Sequence, residues 1–339
     1  MRYLLFAVAL LVPACTRPAD RVVVYSAQDE DYATPVLNDL GSKLGLSVAP
    51  KFDTEATKSV GLVTELLEEV RRPRCDVHWN NEPLGTIRLF RKGVYAPYVS
   101  PEDDNYLPTT IPTRGTIHPF AERVRVLLVN TRLVPEGERP RGLLELTAAT
   151  WKGRVAMAKP QFGTTATQAA CLFEAIGPEA AKAFYLGLKA NGVQIVAGNK
   201  AVALAVSRGD AAVGLTDSDD AMLEALAGKE VVIVVPDREP SAQHPRLGAL
   251  YLPNTLAVVN GGPNPEGAQK LIDLLLSQDA ERKLAEGGGY QLPLRRDLAE
   301  VRRGVLKAPT EGRRMLVDWG KAADQWDESQ TFLRDTFAR

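Results

Sequence analysis

The chain has 339 residues, with 41 Lys and Arg against 42 Asp and Glu, for a formal net charge of −1. So even a balance excludes the basic footprint of a nucleic-acid-binding protein. At this length the chain exceeds what one hydrophobic core ordinarily serves, and two domains are expected.

The first element is not part of the fold. "MRYLLFAVALLVPAC" carries one basic residue, Arg2, and then an apolar run too short for a stable membrane span. It reads as a secretion signal, and its ending "VPAC" resembles a bacterial lipobox, in which Cys15 becomes the lipid-bearing first residue. The alternative is an ordinary signal peptide with an incidental cysteine. "TRPAD" then follows as a tether, so residues 1–20 are assigned to leader and tether. The product is expected on the periplasmic or cell-surface side, lipid-anchored to the membrane and monomeric. No later apolar run is long enough to span a bilayer.

"RVVVYSA" is a strand with the continuous apolar character of a sheet covered on both faces. "DYATPVLNDLGSKLG" places Val36, Leu37, Leu40 and Leu44 on one helical face, and Gly45 ends the helix. Asp31 is the expected cap of that helix. "LSVAPKF" is a second strand. "SVGLVTELLEEVRRP" is a second helix with Val60, Val63, Leu67 and Val70 in register, and "CDVHWN" is a third strand. Strand–helix alternation predicts right-handed parallel units, whose ligands bind beyond the carboxyl ends of the strands. The first strand ends at Ser26-Ala27-Gln28-Asp29 and the third at Trp79-Asn80-Asn81-Glu82, so both crevice-side ends are polar.

"ERVRVLLVNT" has the length and pattern of a strand leaving one domain for the other, with Arg123 at the crossing. "WKGRVAMAKP", "GVQIVAG", "AAVGLTD" and "KEVVIVVP" are strands of the second half. "GTTATQAACLFEAIG" and "NKAVALAVSRGD" are helices between them. "GALYLPNTLAVVNG" is the returning strand, "PEGAQKLIDLLLSQDAERKLAEGG" a helical pair, and the rest is helical with loops. Two crossings give two lobes that hinge around a ligand. Lobe 1 is assigned to 21–123 and 255–339, and lobe 2 to 124–254.

The chemistry-bearing stretches are few. "GLTDSDDAM" holds Asp217, Asp219 and Asp220 at a strand-to-helix junction. One acid there serves as a helix cap, while three repel one another unless a cation or water intervenes. The EF-hand pattern is excluded, because the sixth and twelfth positions from Asp217 are Met222 and Gly228. Gly163-Thr164-Thr165 opens a helix and suits either a cap or a bound anion. Cys75 and Cys171 read as buried free thiols, and no Cys or His group has zinc spacing. His78 reads as a strand residue. The absence of G-x-S-x-G, H-E-x-x-H and phosphate-loop patterns argues against an enzyme.

The ordered pieces "VVVYSAQDED", "RCDVHWNNE", "RVRVLLVNT", "WKGRVAMAKP", "LKANGVQIVAGNKAVALAVSRGDAAVGLTDSDD" and "PNTLAVV" resemble the solute-binding proteins of bacterial ABC importers, within them the ferric-iron-binding group. The resemblance implies an α/β fold of two doubly wound lobes joined by a two-strand hinge, the type II periplasmic-binding-protein arrangement. It implies a substrate-binding lipoprotein that delivers its solute to an ABC permease in the inner membrane.

Residue by residue, the resemblance sets Asp219 and Asp220 where ferric binders keep an adjacent tyrosine pair. It sets Asp29 where they often have a histidine, and Asn81 or Glu82 at their glutamate. Gly163, Thr164, Thr165 and Asn199 match anion-contacting positions. The implied ligand set is thus Asp29, Asn81, Glu82, Gly163, Thr164, Thr165, Asn199, Asp219 and Asp220. No covalent cofactor is expected besides the lipid on Cys15. Two models stay open at this point: an iron-like hard cation held by Asp29, Glu82, Asp219 and Asp220 with a synergistic anion, or a phosphonate, phosphate ester or similar zwitterion. A sensor module is the alternative of another class.

Overall fold

The computed structural model describes residues 20–53, 60–108, 111, 115–301 and 313–337. Cys15 and the leader lie outside the described residues. Among those described, no helix is long and apolar enough to cross a membrane.

The first half alternates as its apolar pattern predicts through β1 (Arg21–Ser26), α1 (Glu30–Leu44), β2 (Ser47–Phe52), α2 (Gly61–Glu68) and β3 (Val77–Asn80), and a further helix that the pattern did not single out, α3 (Pro83–Arg91), follows. β1 runs parallel to both β2 and β3. In α1, Val36, Leu37 and Leu40 are buried, and Gly45 closes the helix in the left-handed conformation. The helix begins two residues earlier than expected: Asp29 occupies the N-cap and Asp31 sits inside the first turn. The buried face of α2 also differs, with Leu62, Val63 and Leu66 inside and Leu67 and Val70 exposed. With only eight residues, this helix buries the i, i+4 pair its short axis can aim at the sheet.

β4 (His118–Asn130) is the long crossing strand. Its first part pairs antiparallel with β9 (Tyr251–Val258), through a bulge at Ala121 where the backbone turns to a φ of 35°. Its second part pairs antiparallel with β7 (Val213–Asp217) and β8 (Val231–Val234). β5 (Val155–Ala158) lies parallel to β6 (Gln194–Val196) and to β7. The strand order is β2-β1-β3-β9-β4-β7-β5-β6, with β8 also on β4. β4 and β9 are therefore the antiparallel strands between two parallel sets. This is the topology that the two-crossing pattern requires.

Three helices stand over the second parallel set: α4 (Gly163–Ala175), α6 (Asn199–Arg208) and α7 (Ser218–Leu226), with α5 (Pro178–Ala190) packed on α4. α8 (Pro265–Leu275) and α9 (Gln278–Glu286) cover the first set beside α1. The terminal helices Trp319–Asp324 and Trp326–Phe337 pack across α3, α4 and α5. Val24, Trp79, Leu256 and Leu271 belong to one buried cluster on the first strand set, while a larger cluster runs continuously from Tyr25, Leu62 and Leu84 to Met157, Phe173, Tyr185 and Leu215. Cys75 and Cys171 are buried free thiols.

Candidate functional site

The carboxyl ends of β3 and β7, the end of β5 and the end of β1 converge on one cavity of about 40 Å³. Loops following parallel strands are where such a crevice forms. Of the sequence-derived candidates, Asp29, Asn81, Gly163, Thr164, Thr165, Asn199, Asp219 and Asp220 line this cavity. Arg123, Lys159, Lys200 and Asp217 complete the charged lining.

Glu82 is placed elsewhere. It is the N-cap of α3, and its carboxylate accepts from the N–H groups of Leu84 (2.7 Å) and Gly85 (2.8 Å). It also accepts from Thr167 Oγ1 (2.8 Å) and Asn80 Nδ2 (3.1 Å). These four donors fill its lone pairs, so the structure does not bring Glu82 to the cation set. Burial pushes its carboxyl up, against the pull of those hydrogen bonds. Asn81, its neighbour, lines the cavity, and its backbone carbonyl accepts from Arg123 Nη2.

The three aspartates of the β7–α7 junction have separate fates. Carboxylate oxygens of Asp217, Asp219 and Asp220 lie within 4.8 Å of one another. Asp217 stands at the N-cap of α7 but makes no cap bond. It turns to Arg125 Nη1 (2.8 Å), Thr164 Oγ1 (2.7 Å) and Asn199 Nδ2 (3.0 Å) instead. Burial opposes its ionisation, but Arg125 and Arg123 outweigh burial and hold its carboxyl below the usual range. Asp219 faces Arg123 Nη1 at 3.7 Å. There burial wins, helped by repulsion from Asp217 and Asp29 against the pull of Arg123, and its carboxyl is pushed up to about 6. Two acids two residues apart thus shift in opposite directions, because Asp217 has a guanidinium at 2.8 Å and feels a second one, whereas the guanidinium facing Asp219 stands off at 3.7 Å.

Gly163 begins α4 with φ at 56°, a left-handed value that strains any residue with a Cβ. Glycine lets the chain turn sharply there, so that Thr164 and Thr165 enter the helix facing the cavity. Arg123 and Arg125 lie on one face of β4 by the strand's period of two, and Asp217 is the cross-strand partner of Arg125. Sequence reasoning passed over Arg125, Lys159 and Lys200. The signal available for Arg125 was a second arginine at i+2 in an otherwise apolar strand, which must find a buried partner. Tyr32 was also missed: on the first turn of α1, it is pushed up to about 12 by burial and then by Asp219, Asp29 and Asp220. Its phenol therefore lies close to the same acids. His78 is buried in β3 beside the Tyr95 hydroxyl (2.6 Å) and outside the cavity lining.

A family model described as bacterial extracellular solute-binding protein matches residues 87–324. The major ferric iron-binding protein of Neisseria meningitidis is 26% identical over 293 residues, covering 84% of this chain and 83% of the relative. A putative 2-aminoethylphosphonate-binding periplasmic protein of Salmonella typhi is 24% identical over 285 residues, covering 82% and 79%. Among solved structures, iron-bound HitA from Pseudomonas aeruginosa superposes with a TM-score of 0.77 at 21% identity, over 94% of this chain and 99% of that one. At that identity the likeness concerns the fold, and it is the two-lobed type II arrangement expected from the sequence.

Proposed function

The chain belongs to the bacterial extracellular solute-binding proteins, a transport family and not an enzyme family, and on that premise we propose that its solute is a hard, iron-like cation held together with an anion. The cation half falls to Asp29, Asp219 and Asp220, and the anion half to the helix starts at Gly163–Thr165 and Asn199. The observation that carries this reading is the convergence of the Asp217, Asp219 and Asp220 carboxylates, with oxygens within 4.8 Å of one another, beside helix starts in the same small cavity, which Asp29 also lines. Hard cations take oxygen donors, and helix N-termini take anions. A volume of about 40 Å³ suits an ion with a small partner better than a drug-sized molecule. Glu82 drops out of the cation set because its oxygens already serve α3 and Thr167.

A second reading has its own support. Arg123 approaches Asp219, and no tyrosine stands at 219 or 220 to supply the phenolates of a ferric site. An aminophosphonate zwitterion would set its ammonium among the aspartates and its phosphonate on the helix starts. The Salmonella relative's name fits this variant. The polarity of the site is the same in both readings.

The remaining assignments belong with this proposal: a lipid on Cys15, anchorage at the membrane, a monomer, lobe boundaries at 21–123 with 255–339 and at 124–254, and an ABC permease as the receiving partner. Lobe closure then follows from a ligand that contacts both lobes. The test is a melting screen of the purified protein with ferric citrate, ferric phosphate and 2-aminoethylphosphonate, backed by native mass spectrometry. A bound solute raises the melting temperature by mass action. A shift with iron plus anion supports the first reading and a shift with the aminophosphonate alone supports the second. No shift with any of them rejects both.

A further inference from the structure

We propose that the buried Glu281 carboxylate is the pin of the hinge: ionised, it holds the kink of β4 between the lobes, and on taking a proton it lets the kink loosen. The inference concerns lobe movement and does not rest on the identity of the solute.

The kink lies where β4 changes partners. β4 pairs with β9 up to Val124 and with β7 from Arg125. Just before that hand-over the ladder shifts register between Phe120 and Glu122, and Ala121 takes a φ of 35°. A residue with a Cβ is strained there, and such strain persists only where the surroundings impose it. Two side chains impose it. The Ala121 N–H donates to Glu281 Oε1 (2.6 Å), and the Ala121 carbonyl accepts from Asn254 Nδ2 of β9. Glu281 also holds the neighbouring segment, accepting from Leu294 N at Oε1 (3.1 Å) and from Arg295 N at Oε2 (2.9 Å). That segment is bonded back to the crossing strand, because Glu122 and Leu292 exchange both backbone hydrogen bonds (2.8 and 2.7 Å). One carboxylate on α9 thus ties together the strained residue and the chain beside it.

The charges around this pin are engaged elsewhere. Arg295 turns its guanidinium to Glu102 and Asp297. On β4, Glu122 meets the Arg314 fork, His118 meets Asp103, and Arg123 serves the Asn81 carbonyl. On α1, Asp39 and Lys43 pair with Lys283 and Asp279. On α8, Asp273 accepts from Tyr98 and Ser100, and the Tyr106 hydroxyl donates to the Leu276 carbonyl. Glu281 is 0% exposed, and burial pushes its carboxyl up to about 7 against its three N–H bonds and Arg295.

The three bonds are charge-assisted while Glu281 is ionised and roughly half as strong once it is neutral. Each of them also pulls against protonation. A loosened kink with the acid still buried therefore binds the proton more tightly than the pinned one, and protonation favours loosening. Lobes that part more easily hold a bridging solute less tightly, so the pin makes release acid-sensitive.

The test follows amide exchange of Ala121, Leu294 and Arg295 in the solute-free protein at pH 8 and pH 6, corrected for intrinsic exchange, in wild type and Glu281→Gln. In wild type, protection at these amides is expected to fall by about tenfold from pH 8 to pH 6, the loss typical of a charge-assisted hydrogen bond, while β1 and β5 keep theirs. In Glu281→Gln it is expected to be low at both pH values. The radius of gyration from small-angle scattering is expected to grow between pH 8 and pH 6 in wild type and to stay constant in the variant. Should the variant not fold, the Glu281 carboxyl carbon in wild type is expected to titrate near pH 7 by NMR, in step with the loss of protection. Protection unchanged or higher at pH 6, an equal fall in the variant, a constant radius in wild type, or a carboxyl that titrates below pH 5 overturns the proposal.

Discussion

Replacing Asp219 by asparagine is expected to stabilise the empty protein and weaken the cation half of its site. Asp219 is 7% exposed, and its carboxyl is moved from the ordinary 3.8 to about 6, by burial first and then by Asp217 and Asp29 against Arg123. A carboxyl raised by that amount costs the fold about 3 kcal/mol when fully ionised. The folded state binds the proton more tightly than the unfolded one. The cost is therefore absent below about pH 4, grows between pH 4 and 6, and is complete above pH 6. Asparagine mimics the uncharged acid at every pH. At pH 7.5 Asp219→Asn should melt higher by about 6 °C, taking roughly 2 °C per kcal/mol for a chain of this size. The gap should shrink as pH falls through 6 and close near pH 4. Melting curves of both proteins from pH 4 to 8 measure this directly, because taking the difference cancels other titrating groups. In the same variant the melting shift induced by metal with anion should fall, since a carboxylate ligand is gone. An unstabilised variant at pH 7.5, or a gap that ignores pH, would refute the view that this carboxylate is held at a cost for binding.

Three further outcomes are expected. Glu82→Ala should lower stability in urea by about 2–4 kcal/mol, from a lost cap and stranded donors at Thr167 and Asn80, while Glu82→Gln keeps Mn(II) affinity; a loss of metal binding in the glutamine variant would return Glu82 to the cation set. Burial pushes His78 down to about 3. Its ring should show no titration by NMR between pH 5 and 8, and it withdraws stability as pH drops below about 6.5, where the unfolded ring takes a proton. Burial also pushes the thiols of Cys75 and Cys171 well up. Neither should react with an aromatic disulfide reagent in the native protein, and both should react in urea; a native-state reaction would show that the core opens readily.

The elements were legible where periodicity alone decides them. The apolar run of β1, the i, i+3, i+4 face of α1 with its closing Gly45, and the two long crossing strands all appear where their patterns put them. The short α2 was less legible, because eight residues carry too little periodicity to choose between Leu66 and Leu67 as the inward side chain. The line of the cavity was legible too, since it follows from which residues end the strands. Asp29, Asn81, Asn199, Asp219 and Asp220 are such ends or begin the helices after them.

The sequence by itself determined the alternation of strands and helices, the two crossings and the acids at the strand ends, because these depend on local pattern and on chain direction. Which acid does what was left to the tertiary structure. Glu82 and Asn81 are chain neighbours, yet the backbone turn at the start of α3 sends the Glu82 carboxylate into a cap while Asn81 lines the cavity. Asp217 and Asp219 look alike in "TDSDD", but only Asp217 lies in register opposite Arg125, which comes from a strand 92 residues away in the chain. Electrostatics between distant residues depends on distances of a few ångströms, and folding sets those distances.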